Sequence, residues 1–256
     1  MKPEGSMFPS HATMYWAGVT NEEDREGKVS EYRGSMSEWQ KFSREMKEFY
    51  NLDMGALGPS FEKEQGDYYI YSSLWTELQT EHVIGQPVVI KRMNLNTCTL
   101  EDALGVSTTP FEIIVPFPVR ISGFAGWFSV DFNGSVATPC VRRVTLSTGP
   151  EVGYTHWGQQ VIRRSLPLYD FCDFIKCHTF LCQNVSSIFT CASLTHHATC
   201  FEQVFYLKDP IDCSGEMRLH GDVTLVRQEK NKRLYNMKIN YAADDAEPAS
   251  GIYEIP

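Results

Sequence analysis

The chain has 256 residues, 42% of them hydrophobic and 21% charged, a balance that suits a soluble globular protein with length for one large domain or two small ones. Its 32 acidic against 23 basic residues leave a net charge of −9, which argues against a nucleic-acid binder that works by neutralising phosphates; the acidity suits basic partners, and solubility accounts for it equally well. No apolar run reaches the roughly 18 residues of a membrane span, and the N-terminus lacks the apolar stretch of a secretory signal, so a reducing, intracellular setting is expected.

In chain order, the first predicted strand is "ATMYWAGV", Ala12 to Val19. Residues 21–58 are charged, and their second half repeats Trp39, Phe42, Met46 and Phe49 at three- and four-residue intervals. That is one face of an amphipathic helix, with Ser37 as its expected N-cap. Such a stripe suits a core; placed as an insertion between strands, it also suits a second subunit. After Gly58 the signal turns to β, with strands predicted over 87–95, 111–117, 123–132, 141–147, 203–207, 217–227 and 234–242. In the third of these, Phe124, Gly126, Phe128, Val130 and Phe132 alternate with Ala125, Trp127, Ser129 and Asp131, giving one apolar and one mixed face. Short strands punctuated by Gly, Pro, Asn and Asp predict a mainly β sandwich or closed barrel. The acidic tail "ADDAEPASGIYEIP" is expected to be loosely ordered. Neither a glycine-rich strand-to-helix cofactor fingerprint nor the strand–helix alternation of a doubly wound sheet occurs.

Residues 161–203 stand apart from this pattern. They carry Cys172, Cys177, Cys182, Cys191 and Cys200, contain no glycine, and hold neither helical nor strand periodicity. A zinc site with His178, His196 and His197 is one reading, but the cysteines lack the paired C-x2-C knuckles of common structural sites. A disulfide cluster fits poorly with an intracellular chain. A third reading is a retained intron: joining Gln160 to Val204 restores "YTHWGQQVFYLKDPI" as one uninterrupted pattern, and the segment is in frame. Its exposed Phe, Leu, Ile and Cys invite aggregation.

The stretch "YTHWGQQV" begins with Tyr154, Thr155, His156 and Trp157. Read alone, these are aromatics with polar edges at a sheet rim beside a hydrogen-bonded histidine. The order "KPEG", "MFPSHATMY", "NLDM", "FAGWFSVDF", "LSTGP", "YTHWGQQ" gives them another meaning. With the insert set aside, residues 2–242 resemble the C-terminal β-barrel half of type I protein arginine methyltransferases, the pairing of "LSTGP" with "THW" being the specific part.

The resemblance implies a single β-barrel domain over 1–256, interrupted by a helical dimerisation arm at 21–58, with the family's Rossmann-like cofactor domain absent from this chain. It moves Trp39, Phe42, Met46 and Phe49 toward an intersubunit role. It also implies S-adenosyl-L-methionine as the family's cofactor, whose binding segment, like the glutamate hairpin that grips the guanidinium, lies upstream of the matching region. Methyl transfer to arginine is an in-line displacement that needs orientation, stabilised cationic charge and a route for a proton. Tyr154, Thr155 and Trp157 are then expected to line the acceptor side of the cleft, and His156, with a reference pKa near 6.5, to orient an acidic partner or relay a proton. Bracing of the barrel against the cofactor domain is the alternative role for this loop. Gly158 departs from the lysine that relatives often carry there.

Three functions follow for testing. The first is the barrel portion of an arginine methyltransferase acting on histones or RNA-binding proteins in nucleus and cytoplasm, inactive alone. The second is a non-catalytic partner whose barrel and arm bind a full-length relative or a substrate and regulate it; a homodimer, or a heterodimer with a full-length relative, is the expected assembly. The third is a free-standing barrel module whose insert holds zinc. No direct nucleic-acid or membrane contact is expected.

Overall fold

The computed structural model describes residues 5–76, 78–152, 202–244 and 247–255. Strand β1 (His11–Val19) lies between β5 (Val119–Asp131) and β3 (Val83–Asn94), antiparallel to both. On the other side of β5 come β7 (Glu202–Cys213) and the short β2 (Leu74–Thr76). With β6 (Thr145–Ser147) added on β5, these make a six-stranded sheet in the order β2-β7-β5-β1-β3. The second sheet runs β10 (Ala249–Ile255), β9 (Tyr235–Ala243), β8 (Met217–Arg227), β4 (Gly105–Val115), all antiparallel.

The two sheets face one core. Trp16 at its centre is fully buried, stacked on Phe124 at 5.4 Å and tilted against Phe205 and Phe111. Gly126, opposite Trp16 on β5, makes room for it, since a Cβ there meets the indole ring at 3.3 Å. Burial on this scale is worth about 3–5 kcal/mol for a tryptophan in a close-packed core. A second, smaller cluster of Ala17, Val19, Ala125, Trp127, Val204 and Tyr206 lies on the other face of the six-stranded sheet. The alternation along 123–132 thus separates the two clusters: Phe124 and Val130 enter the main core, while Ala125 and Trp127 enter the second.

The mainly β, barrel-like architecture interrupted by a helical arm is the one expected. Among the described residues the sheets do not join into a single closed ladder; they are linked at the seam by a parallel bridge between Ser72 and Glu254.

Several local expectations are corrected. Helix α1 (Glu22–Tyr50) starts well before Ser37, which lies inside it; Asn21 is the cap, because its side chain accepts the Asp24 amide and acidic residues fill the first turn. Strand β3 begins at Val83 rather than Pro87, and it tolerates the proline because it is an edge strand. The strand predicted from Val141 shrinks to β6, with Val141 fully exposed. Most of the described part of the acidic tail is a strand: Tyr253 and Ile255 of β10 point into the core while Ile252 and Glu254 point out, a period-two pattern hidden by the polar residues around it. Strand β7 starts at Glu202, so the last two residues counted with the insert pair within the sheet. No described helix is long and apolar enough to cross a membrane.

Candidate functional site

The root of the arm is built from polar contacts. Asn21 Oδ1 accepts the Asp24 N–H at 3.2 Å, and Asn21 Nδ2 donates back to the Asp24 carboxylate at 3.0 Å, a reciprocal cap. The Asn21 N–H also donates to Ser122 Oγ at 2.5 Å, and that hydroxyl donates to Val19 O at 3.1 Å, which fixes the helix start to β1 and β5.

Arg25, only 5% exposed, is the deepest charged group of the arm. The pairing of β5 with β7 jumps from Gly123↔Tyr206 to Ile121↔Ile211, leaving residues 207–210 outside that ladder. Arg25 fills the gap: Nε donates to Leu207 O at 3.0 Å and Nη2 to Lys208 O at 2.7 Å, while Nη1 holds Glu26 at 2.6 Å. A planar guanidinium suits two neighbouring carbonyls and a carboxylate at once. Tyr206 donates its hydroxyl to Asp24 at 3.2 Å; burial first, then the Asp24 charge, push that phenol well above its ordinary range.

Farther out, α1 ends at Asn51, whose φ of 52° lies in the left-handed region that asparagine tolerates, and the Leu52 N–H closes back on Met46 O at 3.1 Å. Helix α2 (Gly58–Gln65) then returns along α1, with Ser35 Oγ donating to Gln65 at 2.7 Å. The four predicted stripe residues divide here. Trp39 stacks on Phe61 of α2 at 4.5 Å and neighbours Phe42 at 5.8 Å, so it is held within the arm. Met46 is half-buried. Phe42 and Phe49 are exposed, Phe49 by 70%, and they share the distal arm with exposed Tyr50, Leu52 and Leu57. Leu52 and Leu57 lie beyond the helix and so outside its repeat, whereas Tyr50 falls on the repeat, four residues after Met46, and extends the stripe to the helix end. Arg25 is hidden for another reason: it sits in a charge-dense run, and the two carbonyls that hold it are distant in sequence.

A second feature is the turn that follows β6. Thr148 is buried; its N–H donates to Phe128 O at 2.9 Å, and its hydroxyl accepts the Phe128 N–H at 3.2 Å. Ser147 Oγ accepts the Gly149 N–H at 3.0 Å and donates to Glu151 at 3.1 Å, while Thr80 donates to Pro150 O at 2.9 Å. Gly149 is required for close approach, since a Cβ there meets Trp127 Nε1 at 2.6 Å and the Glu151 carboxylate at 2.4 Å. The turn thus sits with Gly149 against Trp127, whose ring stacks on Tyr15 at 6.2 Å. Tyr154, Thr155, His156 and Trp157 follow immediately and lie outside the described residues, as do Cys172, Cys177, Cys182, Cys191 and Cys200 with the three histidines near them. Among the described residues, no group of three or more His, Cys, Asp or Glu is placed to hold a metal ion.

The model of the arginine methyltransferase oligomerization subdomain matches residues 10–166. Protein arginine N-methyltransferase PRMT10 of Arabidopsis thaliana is 38% identical over 170 residues, covering 66% of this chain and 44% of the relative. PRMT10 of Oryza sativa subsp. japonica is 36% identical over 172 residues, with the same 66% and 44% coverage. The chain thus spans less than half the length of these curated relatives. The fold is similar to the crystal structure of Arabidopsis thaliana protein arginine methyltransferase 10, with a TM-score of 0.77 at 25% identity, covering 100% of this chain and 62% of that one. It is similar in fold to the Trypanosoma brucei PRMT1 enzyme–prozyme heterotetrameric complex with AdoHcy, with a TM-score of 0.58 at 14% identity, covering 98% of this chain and 57% of that one.

Proposed function

This chain belongs to the arginine methyltransferase family, as a bearer of its oligomerization subdomain, and from that premise we propose that it supplies the barrel and dimerisation arm of an S-adenosylmethionine-dependent protein arginine methyltransferase. The observation that carries this reading is the arm itself: a root latched to β7 by Arg25, and a distal end that leaves Phe49 and Tyr50 largely exposed. Large apolar side chains held out on a rigid arm serve a partner surface better than a monomer.

Among the described residues nothing fits the cofactor. The chain passes from β1 into α1 through Thr20 and Asn21 without a glycine-rich turn, and the first turn of α1 carries Glu22, Glu23 and Asp24. In this reading the family's cofactor is held by a segment other than the described residues, and the chain is inactive alone. Its contribution to the reaction is on the acceptor side. Tyr154, Thr155, His156 and Trp157, which follow the Ser147–Glu151 turn in sequence, line the guanidinium cleft and orient it in this reading. The acceptors are arginines of histones or RNA-binding proteins, in nucleus and cytoplasm.

Equilibrium binding of labelled S-adenosylmethionine tests this reading. The 256-residue chain is expected to show no saturable binding, and clear saturation overturns the assignment.

A second reading, a non-catalytic partner of a full-length relative, is favoured by the same exposed distal arm. Mixing the chain with a full-length arginine methyltransferase is expected to give a heterodimer by sedimentation. Replacing Phe49 and Tyr50 together with Asp should weaken it on the order of tenfold or more, since each loses about 1–2 kcal/mol of apolar burial. An unchanged affinity moves the interface off the arm. A change in the relative's turnover on heterodimer formation selects the regulatory reading.

A further inference from the structure

Between the first turns of α1, the return of the arm through α2, and the end of β10 lies a cavity of about 940 Å³. Two lysines line it, and their surroundings differ sharply. Lys63 is fully exposed and ion-paired with Asp67, which holds its amine above the ordinary lysine range. Lys28 is half-buried. Its nitrogen donates to Ser72 O at 2.5 Å and reaches Ser72 Oγ at 3.5 Å, both neutral acceptors, and it forms no ion pair among the described residues. An ammonium withdrawn from water without a paired carboxylate is disfavoured. Burial accordingly pulls the amine down to about 8, opposed by the Glu31 charge one turn away.

The contact with Ser72 is structural as well. Ser72 bridges to Glu254, the Ser73 N–H donates to Glu254 O at 3.0 Å, and the Glu254 N–H donates to Tyr71 O at 2.9 Å. Lys28 therefore ties α1 to the point where the arm's return meets β10. Carboxylates face the cavity from three sides, Glu23, Asp24 and Glu31 from α1, Glu64 and Asp67 from the α2 side, and Glu254 from β10, and Tyr68 and Tyr69 are the other titratable groups of its lining. That field repels anionic reagents and admits neutral ones.

We propose that Lys28 is a reactive amine at the arm root, acylated by neutral acyl thioesters, and that its acylation releases α1 from Ser72. The neutral nitrogen attacks the thioester carbonyl; the C–N bond forms, the C–S bond breaks, and the proton lost from nitrogen leaves with the thiolate as a thiol. The amide product carries no charge and can no longer offer Ser72 an ammonium. This inference is independent of the methyltransferase reading.

The test uses the full chain, a small neutral acetyl thioester, and site-resolved peptide mass spectrometry between pH 7 and 10. At pH 8 about half of the Lys28 amine is neutral, against less than about 1% of an ordinary lysine. Because lower basicity also weakens the nucleophile, Lys28 is expected to react on the order of tenfold faster than Lys63 rather than by the full ratio of neutral fractions. Its rate should level off above a midpoint near pH 8, and Glu31→Gln should move that midpoint down. A Lys28 that reacts no faster than Lys63, or whose rate still climbs at pH 10 as that of an ordinary amine does, overturns the proposal. Hydrogen exchange tests the release: faster exchange at the Ser72 and Ser73 amides after acylation supports it, and unchanged exchange removes it. An acetyl phosphate of matched reactivity should modify Lys28 less selectively than the thioester; equal selectivity overturns the assignment to neutral donors.

Discussion

Replacing Arg25 with Met is expected to lower the unfolding free energy by about 3 kcal/mol, measured by urea denaturation, and to speed hydrogen exchange along the first turns of α1. The apolar stem is retained, so the loss falls on the guanidinium. Two hydrogen bonds from a charged donor disappear, each worth roughly 1.5–3 kcal/mol when its partner is left unmatched, offset by not having to bury the charge. The carbonyls of Leu207 and Lys208 stand where β5 no longer pairs with β7, so no ladder bond is at hand to replace Arg25. Arg25→Lys should recover only part of the stability, since an ammonium cannot match the fork that reaches two carbonyls and Glu26 together. A Met variant within about 0.5 kcal/mol of the parent, the range of ordinary surface changes, shows that the arm is held elsewhere.

The second large effect concerns the connection between β6 and β7. Excising residues 161–203 brings Gln159 and Gln160 to the positions of Glu202 and Gln203, ahead of Val204. The register Val204↔Ala125 and Gln203↔Gly126 can then be kept with glutamine again opposite Gly126. The connection between Val152 and the strand shortens from 49 residues to six, which by closure entropy alone favours folding by about 2 kcal/mol. For a chain of this size that corresponds to a rise in Tm of about 4–8 °C. Soluble yield should also rise, because the removed segment concentrates cysteine with Phe, Leu and Ile. Thermal unfolding of the two forms side by side decides the matter, and a less stable excised form shows that the segment contributes to the fold. Transcript sequencing addresses its origin: a message that reliably encodes 161–203 in most tissues ends the retained-intron proposal.

What could be read from the residues depended on the range of the interactions involved. Strand β8 was predicted over its full length because Met217 to Arg227 alternate without a proline or a competing helical repeat. The distal half of α1 was visible in Trp39, Phe42, Met46 and Phe49, since a helix repeats its face locally. Its true start was not, because residues 22–31 have no apolar repeat and their order comes from Asn21, Ser122 and β7. Strand β10 is hidden in the sequence because only Tyr253 and Ile255 carry its pattern, and their burial depends on a core assembled from the rest of the chain. The turn before Tyr154 was legible as the motif "LSTGP", but the reason for its composition, close approach of Gly149 to Trp127, is tertiary. The chemistry attached to His156 rests on resemblance, and the turn indicates only where that loop departs.

The seam between the sheets has a mechanical consequence. Arg25 fastens the outgoing helix to β7 in one sheet, whereas residues 71–73 on the return are fastened to β10 in the other. The arm therefore straddles the seam, and α1 is about 43 Å long at the usual rise per residue. On a lever of that length, a rotation of one sheet against the other by about one degree moves the far end by roughly 0.7 Å. Small strains in the barrel arrive at Phe49 and Tyr50 as displacements large enough to change how two packed surfaces meet, and a partner gripping the arm pulls back on the sheets through the same two fastenings.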